Sequence, residues 1–155
     1  MDEATRRFED RATQTHDLDL SIEEFPAGTE TAADAADAIG CETAQIASSL
    51  VFVADQLLVV VTSGANTVDT RKLATLRGVH TARMADPDEI EATLGYEIGG
   101  IPPFCHDQSV PVYLDETLTE FETVWAAAGS SNAVFPIAPE ILVECADATI
   151  ADVVE

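Results

Sequence analysis

The chain has 155 residues, with 29 Asp or Glu against 7 Lys or Arg, and a formal net charge of −22 at pH 7. Its hydrophobic content of 46% argues against the disorder that often accompanies such charge. This length is typical of one core, so we expect residues 1–155 to form a single compact domain. No segment approaches the roughly 20 apolar residues of a membrane span, and the acidic start is not a signal peptide. We therefore expect a soluble, cytoplasmic protein without membrane contacts.

The acidic excess also bears on the environment in which the protein works. The unbalanced charges, spread over roughly 7,500 Å² of surface estimated from the mass, repel one another strongly at ordinary ionic strength. At 1 M salt the Debye length falls to about 3 Å, and this repulsion is screened. Because Lys72 is the single lysine, the composition indicates a halophile with a salty cytoplasm. The alternative is an acidic protein that binds a basic partner.

The N-terminal part of the chain is predicted to form two helices around one strand. Residues 2–12 mix charged side chains with Phe and Ala, which predicts that residues 1–17 are an N-terminal helix or extension. Residues 18–25 alternate apolar with polar side chains, as a half-buried strand does. Thr31 provides a capping-box-like start for an alanine-rich helix, and Gly40 ends it.

Two apolar, β-rich runs follow, Ser49–Ala54 and Leu57–Thr62. Only Asp55-Gln56 separates them, which predicts a hairpin. Because both runs are apolar on both faces, we expect this hairpin at the centre of the sheet.

A short helix after the hairpin contains three of the 7 Lys and Arg residues of the chain. Asp69 caps it and Gly78 closes it, with Leu73 and Leu76 as the predicted buried stripe. The cations on its exposed positions, Arg71, Lys72 and Arg77, are candidate contacts for the phosphates of a nucleic acid. The alternative is an ordinary solvated helix face.

The rest of the chain mixes short strands with helices. Strands are predicted near His80–Met84, Val110–Leu114, Phe121–Ala126 and Ala133–Ile137, and helices over Pro87–Leu94 and from Ala138-Pro139-Glu140 onward. Hairpins and helical crossovers are mixed in this order, which favours an α+β fold with a mixed sheet over a doubly wound one.

The loop Gly99–Phe104 joins a Gly-Gly pair to a Pro-Pro pair between apolar residues. Glycine lets a ligand approach the main chain, and proline stiffens the loop and removes competing N–H donors. We therefore predict that this loop forms a wall of a small-molecule pocket and presents backbone amides. The alternative is an ordinary glycine-rich connection.

Nucleotide-binding and metal motifs are missing from the sequence. It contains no Gly-x-x-x-x-Gly-Lys-Ser/Thr, no Gly-x-Gly-x-x-Gly after a strand and no His-Glu-x-x-His. Cys41, Cys105 and Cys145 lack the close Cys-x-x-Cys spacing of a zinc site and are expected to be free thiols. We expect neither a metal nor a cofactor.

An ordered set of segments carries a family resemblance. The segments are Thr31-Ala32-Ala33-Asp34-Ala35-Ala36 with Gly40, the strand entry Gln45–Val51, Val68-Asp69 with Lys72-Leu73, Met84-Ala85-Asp86-Pro87, Gly95-Tyr96 with Gly99-Gly100-Ile101-x-Pro103-Phe104, Pro111-Val112-Tyr113-Leu114-Asp115, and Ala128-Gly129. Together they resemble the YbaK/ProX family of aminoacyl-tRNA deacylases, which is related to the editing domain inserted in some prolyl-tRNA synthetases. The likeness covers roughly residues 20 to 150, and with its acidity the chain looks like a haloarchaeal member.

The resemblance implies a fold, a reaction and partners. The fold is a single compact domain with a central mixed, barrel-like β-sheet flanked by helices. The reaction is hydrolysis of the ester that joins a small mischarged amino acid, of the Ala, Ser or Cys type, to tRNA. The partners are the 3′ end of aminoacyl-tRNA and, as a candidate, an aminoacyl-tRNA synthetase. Because the chain starts at its own methionine, we expect a freestanding, trans-editing enzyme.

The resemblance also implies site residues, again without a metal or cofactor. Its catalytic set is Gly99, Gly100, Ile101 and Pro103, a loop whose backbone amides face the aminoacyl carbonyl. Its substrate-binding set is Ser48, Ser49, Pro102, Phe104, Asp115 and Gly129. For Asp115, the capping of a helix is the alternative role.

The chain departs from the family pattern at the same site. Ser48 stands where the family usually has a lysine, Pro102 where a serine is common, and Cys105 where a glycine is common. Ser130-Ser131 follows Gly129 where basic residues often occur. The alternative to a deacylase is therefore a non-catalytic module on the same fold that binds a small ligand or aminoacyl-tRNA.

Overall fold

The computed structural model describes residues 2–25 and 31–155 of the chain. The described residues form five α-helices, which are α1 (Glu3–His16), α2 (Ala32–Ile39), α3 (Thr70–Arg77), α4 (Pro87–Leu94) and α5 (Pro139–Ala146). The strands are β1 (Glu23–Glu24), β2 (Ile46–Val53), β3 (Leu57–Ser63), β4 (Arg83–Met84), β5 (Val112–Asp115), β6 (Val124–Ala127), β7 (Ala133–Ile137) and β8 (Thr149–Ala151). Two 3₁₀ turns lie at Thr43–Gln45 and Glu116–Glu120. None of the described helices is both long and apolar enough to span a bilayer.

The eight strands form one mixed sheet in the order β1-β7-β6-β2-β3-β5-β8, with β4 paired to β2 beside this path. The pairs β2–β6, β3–β5 and β5–β8 are parallel, and the others are antiparallel. The predicted α+β fold with a mixed sheet is thus confirmed. The barrel-like closure is corrected, because within the described residues β1 and β8 end the sheet and do not pair with each other.

The predicted hairpin is the centre of the sheet. β2 and β3 pair antiparallel from Ala47↔Ser63 to Val53↔Leu57. Alternate side chains enter different cores, because successive residues of a strand point to opposite faces. Val59 and Val61 lie in the main core, whereas Leu58 and Val60 lie in the second core on the other face. Both faces of the hairpin are therefore covered, as its apolar composition predicts.

The first helix belongs to the domain and runs further than residue 12. It ends at His16, and its C-cap residue Asp17 has the left-handed φ of 55°. Its buried positions Thr5, Phe8 and Ala12 lie on one face of the helix. The ring of Phe8 lies 5.5 Å from that of Phe104 and 5.2 Å from that of Phe135, measured between centroids. This aromatic contact fixes α1 against the main core.

Local helix signals are confirmed where the chain provides its own caps. Thr31 Oγ1 accepts from Asp34 N at 3.0 Å, and Gly40 closes α2 with φ of 87°. Asp69 accepts from Arg71 N, and Gly78 closes α3 with φ of 69°. Such caps satisfy backbone groups that a helix end leaves without partners.

Two expectations about single elements are wrong, and one strand was missed. Of residues 18–25, only Glu23–Glu24 pairs as a strand, because only that segment runs beside β7. In α3 the buried partner of Leu73 is Ala74, whereas Leu76 is 46% exposed. The short edge strand β8, Thr149–Ala151, was not predicted.

Candidate functional site

A gap in the sheet lies along the outer edge of β2. This edge pairs with β6 at Ile46 and Ala47, and with β4 at Phe52 and Val53. Over Ser48–Leu50 no described strand pairs with it, while β3 covers the other edge throughout. Because residues of an antiparallel strand direct their N–H and C=O groups alternately to the two edges, at least one residue here presents both groups to the gap.

A cavity of about 230 Å³ lies in this gap, and we call it the β2 cavity. The residues that line it include Ser48, Ser49, Gly99, Ile101, Ser130 and Ser131. The volume is below the roughly 300–1,000 Å³ of sites for drug-sized ligands. The β2 cavity therefore suits a ligand group with few atoms.

The two serines of β2 contribute to the cavity from opposite faces of the strand. Ser48 pairs with Thr62 across the hairpin, and Ser49 pairs with Val61. The Oγ of Ser49 is buried and has no hydrogen-bond partner among the described residues. Since an unpaired buried hydroxyl costs about 1–3 kcal/mol, a ligand that bonds to Ser49 recovers a missing interaction.

The loop predicted to bind through its backbone forms another wall of the β2 cavity. Gly100 N donates to Glu97 O at 3.1 Å, which closes a tight turn over residues 97–100. Gly99 is the third residue of this turn and has φ of 93°, the positive angle that a type II turn requires there. Glycine is needed at position 99 for this reason.

The turn decides which amides of the loop remain available. The Gly100 N–H already donates to Glu97 O, so it is not free to donate to a ligand, and the catalytic role that the resemblance implies for Gly100 stays a prediction. Pro102 and Pro103 have no N–H. The N–H groups of Gly99 and Ile101 have no acceptor among the described residues, and both residues line the β2 cavity. These two amides are the candidate donors to a ligand oxygen.

The segment Gly129–Asn132 packs directly on the loop. A Cβ on Gly100 would lie 2.7 Å from Ser130 Cα and 2.8 Å from Ser130 N. Real side chains do not approach so closely, so Gly100 is required for this contact. The loop and the segment Gly129–Asn132, which we call the serine segment, therefore form two packed layers of one cavity wall.

The remaining loop residues serve packing rather than the lining. Phe104 is 2% exposed and lies in the aromatic cluster of the main core. Pro102 and Pro103 are buried and do not line the β2 cavity. Pro102 O accepts a hydrogen bond from His106 Nε2 at 2.7 Å, which holds the end of the loop in place. Pro102, Pro103 and Phe104 thus hold the loop in place, and the catalytic and substrate-binding roles that the resemblance implies for them stay predictions.

His106 is expected to make the stability of the protein depend on pH. Burial lowers the pKa of its imidazole and is the largest effect, and the hydrogen bond to Pro102 O opposes it. The nearby Arg11 guanidinium lowers the pKa further, and Asp107 raises it by less. The folded state thus favours the neutral ring, so its stabilising contribution is fully present above the unfolded pKa of about 6.5. It is lost as the pH falls from there through the lowered folded pKa.

The test compares the pH dependence of thermal stability in the wild type and in His106→Gln, a variant that keeps an N–H donor but does not titrate. Between about pH 7.5 and pH 5.5 we expect the thermal midpoint of the wild type to fall more than that of the variant. Circular dichroism at fixed ionic strength measures both midpoints. Equal pH dependence in the two proteins would show that His106 is not responsible.

Asp115 is fully buried at the end of β5, and its contacts are those of a cap. Its carboxylate accepts from Ser63 N, Asn66 Nδ2 and Thr117 N, each at 3.0 Å. None of these groups belongs to the loop. The structure thus gives Asp115 the alternative, capping role and places it outside the lining of the β2 cavity.

The three candidate cations for tRNA lie on α3, away from the β2 cavity. Arg77 binds Asp55 through Nε and Nη2, both at 2.8 Å, and reaches Tyr113 OH at 3.1 Å. Lys72 Nζ contacts both oxygens of Asp152 and Val154 O. The side chain of Arg71 is 95% exposed and 4.0 Å from Asp69. Contact with tRNA stays a prediction, and Arg71 is the cation least committed to internal pairs.

Nucleophilic and metal chemistry have little support at this site. Burial raises the pKa of the Cys105 thiol to about 11, so it is protonated at neutral pH and weakly nucleophilic. Within residues 2–25 and 31–155, no group of three or more His, Cys, Asp or Glu side chains is placed to hold a metal ion. The polar side chains that line the β2 cavity are serines, Thr31 and Trp125.

Sequence reasoning missed several residues around the β2 cavity. Trp125 is half-buried and lines the cavity where β6 meets β2. Ile98 lines the mouth and is 59% exposed. Ser130 and Ser131 were noted only as departures from the family pattern. A glycine followed by two serines after a strand was the available signal for a ligand-facing turn.

Comparisons with known proteins show the family to which the chain is similar. Residues 26–145 match the family model described as the aminoacyl-tRNA editing domain. The chain is 37% identical to YwhH of Bacillus subtilis (strain 168) over 125 residues, 79% of each protein. It is 28% identical over 79% of its length to a protein of Enterococcus faecalis (strain ATCC 700802 / V583) named "Putative Cys-tRNA(Pro)/Cys-tRNA(Cys) deacylase EbsC", and the match covers 76% of that protein.

A solved structure gives the same picture. The crystal structure of a "putative trans-editing enzyme for prolyl tRNA synthetase" superposes with a TM-score of 0.95 at 37% identity. The match covers 100% of this chain and 99% of that one. The superposition includes α1, which lies before the region that the family model matches.

Proposed function

The chain belongs to the aminoacyl-tRNA editing domain family of aminoacyl-tRNA hydrolases, and from this premise we propose that it hydrolyses the ester between a small mischarged amino acid and tRNA. The observation that carries the proposal is the β2 cavity, where Ser49 Oγ and the amides of Gly99 and Ile101 lack partners among the described residues. These are the groups that an aminoacyl ester would engage.

The proposed mechanism relies on electrostatic stabilisation by the backbone. Water adds to the aminoacyl carbonyl carbon, the tetrahedral intermediate collapses, and the bond to the ribose oxygen breaks as that oxygen takes up a proton. Negative charge develops on the former carbonyl oxygen, where the N–H groups of Gly99 and Ile101 would donate to it. Removing one such donor typically costs about 10²–10³ in kcat. The terminal ribose hydroxyl of the tRNA assists the attacking water.

The size of the β2 cavity supports a small amino acid. At about 230 Å³ it holds a compact side chain, and Ser49 offers one hydrogen bond. We propose alanine, serine and cysteine as substrates. Cysteine and proline tRNA have added support from the names of EbsC and of the matching crystal structure. One methylene changes binding by only about 1–3 kcal/mol, which is why hydrolytic editing after charging is useful for such amino acids.

A binding module without catalysis is the second candidate, and Ser48 is the observation that favours it. Serine keeps a hydrogen bond at this position but lacks the charge of the lysine that the family usually carries there. The two candidates differ in one outcome, because a binding module retains aminoacyl-tRNA without releasing the amino acid. A synthetase partner and a cytoplasmic location remain predictions under either function.

The test measures release of labelled alanine, serine or cysteine from proline tRNA by the wild type and by Ser48→Lys. Ser109→Lys is the matched control, because it adds the same charge at an exposed position outside the β2 cavity. We expect the wild type and the control to hydrolyse at least one ester, and Ser48→Lys to bind tRNA more tightly. Hydrolysis by Ser48→Lys alone would identify a binding module. Inactivity of all three folded proteins would point to another ligand.

A further inference from the structure

The helix α1 touches the β2 cavity wall through a buried threonine. Thr5 is fully buried, and its Oγ1 lies 3.1 Å from Ser130 Oγ. Ser130 Oγ in turn donates to Asn132 Oδ1 at 2.9 Å. A hydroxyl has one proton to donate. Thr5 is therefore the donor to Ser130, and the three side chains form a directed chain of hydrogen bonds.

Close backbone packing also connects α1 to the loop through residues 129–130. A Cβ on Gly129 would lie 2.7 Å from Ala4 O and 3.1 Å from Thr5 N, so glycine is required where the serine segment meets α1. On its other side, the backbone of Ser130 packs on Gly100. Three backbone layers thus stack in order, α1, residues 129–130 and Gly100, with a glycine at each contact. A shift of α1 would be transmitted to the loop, because close-packed layers deform little.

Two arginines of α1 hold the ends of the segment that contains the loop. Arg7 donates to Gly95 O, and its guanidinium carbon lies 4.9 Å from the centroid of the Tyr96 ring. Arg11 donates to Cys105 O at 2.9 Å and to Asp107 Oδ1 at 2.6 Å. The helix therefore contacts both ends of the segment that contains the loop, through its two arginines, and contacts residues 129–130 through Ala4 and Thr5.

We propose that α1 is part of the editing site and that Thr5 is a positioning residue, which holds Ser130 against Gly100 and thereby sets the Gly99 and Ile101 amides. The proposal rests on the proposed function, and it concerns a helix outside the region that the family model matches, residues 26–145. Thr5 does not line the β2 cavity. It acts through Ser130, which does.

The test replaces Thr5 by valine, which keeps the shape and removes the donor, and by serine, which keeps the donor. We expect Thr5→Val to lower kcat about tenfold with little change in KM. The reason is that a small displacement of the Gly99 and Ile101 amides weakens their hydrogen bonds to the transition state more than it weakens substrate binding. Thr5→Ser should restore most of the rate. Thr13→Val is the matched control, since Thr13 Oγ1 bonds to Leu18 O at the other end of α1. Equal kcat in Thr5→Val and Thr13→Val would overturn the proposal.

Two further measurements separate this proposal from the proposed function. Hydrogen exchange of Thr5→Val should become faster at the Gly100 and Ala133 amides, which donate to Glu97 O and Ser130 O, while α3 stays protected. This readout decides the positioning role even if the wild type hydrolyses no ester, and unchanged exchange at both amides would overturn it. If Thr5→Val does not fold, Ser130→Ala breaks the same hydrogen bond from the loop side. Where both fold, Thr5→Val should add no further loss of kcat in the Ser130→Ala background.

Discussion

Replacement of Gly100 by alanine is expected to lower kcat for ester hydrolysis by about 100-fold while the protein remains folded. The added Cβ would meet the backbone of Ser130 at 2.7–2.8 Å, and a backbone contact gives way only if one of the two segments moves. Movement of the loop displaces the Gly99 and Ile101 amides from the aminoacyl oxygen. Single-turnover release of labelled amino acid from tRNA measures the loss, and circular dichroism confirms the fold.

Controls for this variant come from other glycines. Gly40 and Gly78 have φ of 87° and 69°, and a Cβ on either would have no neighbour within 4 Å. Alanine there introduces backbone strain without touching the β2 cavity, so kcat should stay near that of the wild type. If Gly100→Ala hydrolyses as fast as Gly40→Ala and Gly78→Ala, the packing of the loop on Ser130 does not control the reaction.

High salt is expected to raise kcat/KM at least tenfold between about 0.1 M and 2 M KCl. The net charge of −22 on 7755 Å² of surface gives about one unbalanced charge per 350 Å², which repels the tRNA phosphates. Glu91 and Glu97 line the groove beside the β2 cavity and add to this repulsion. Screening of both partners should outweigh the counterion release that normally makes salt weaken nucleic-acid binding.

A short substrate separates association with tRNA from the chemical step. An aminoacylated trinucleotide carries few phosphates, so its kcat/KM should rise much less with salt than that of full tRNA. Circular dichroism at each KCl concentration shows whether the fold changes over the same range. A kcat/KM for tRNA that falls steadily with salt would show that cationic contacts dominate binding and that the acidic surface does not.

Local features of the fold were accessible to sequence reasoning because their causes lie within a few residues. Thr31, Asp69 and Gly78 are caps that act on the adjacent turn of helix. The β2–β3 hairpin follows from two apolar runs around Asp55-Gln56. The pocket wall at Gly99 was predicted from glycine and proline chemistry, and the turn at residues 97–100 has the conformation that needs glycine.

The features that sequence reasoning missed depend on contacts between distant parts of the chain. Thr5 and Ser130 are 125 positions apart, and neither carries a local signal of their hydrogen bond. The sequence does not decide the role of Asp115, because a carboxylate after a strand can cap a turn or bind a ligand. Lys72 and Arg77 appeared free on one helix, but their partners Asp152 and Asp55 lie on other elements.

Release of amino acid from proline tRNA charged with alanine or cysteine, in about 2 M KCl, tests the central claim most directly. Under single-turnover conditions we expect the wild type to release the amino acid at least 100-fold faster than spontaneous ester hydrolysis, and Gly100→Ala to approach the spontaneous rate. Release at the spontaneous rate by folded wild-type protein, with alanine, serine and cysteine alike, would contradict the assignment of the β2 cavity as a hydrolytic editing site.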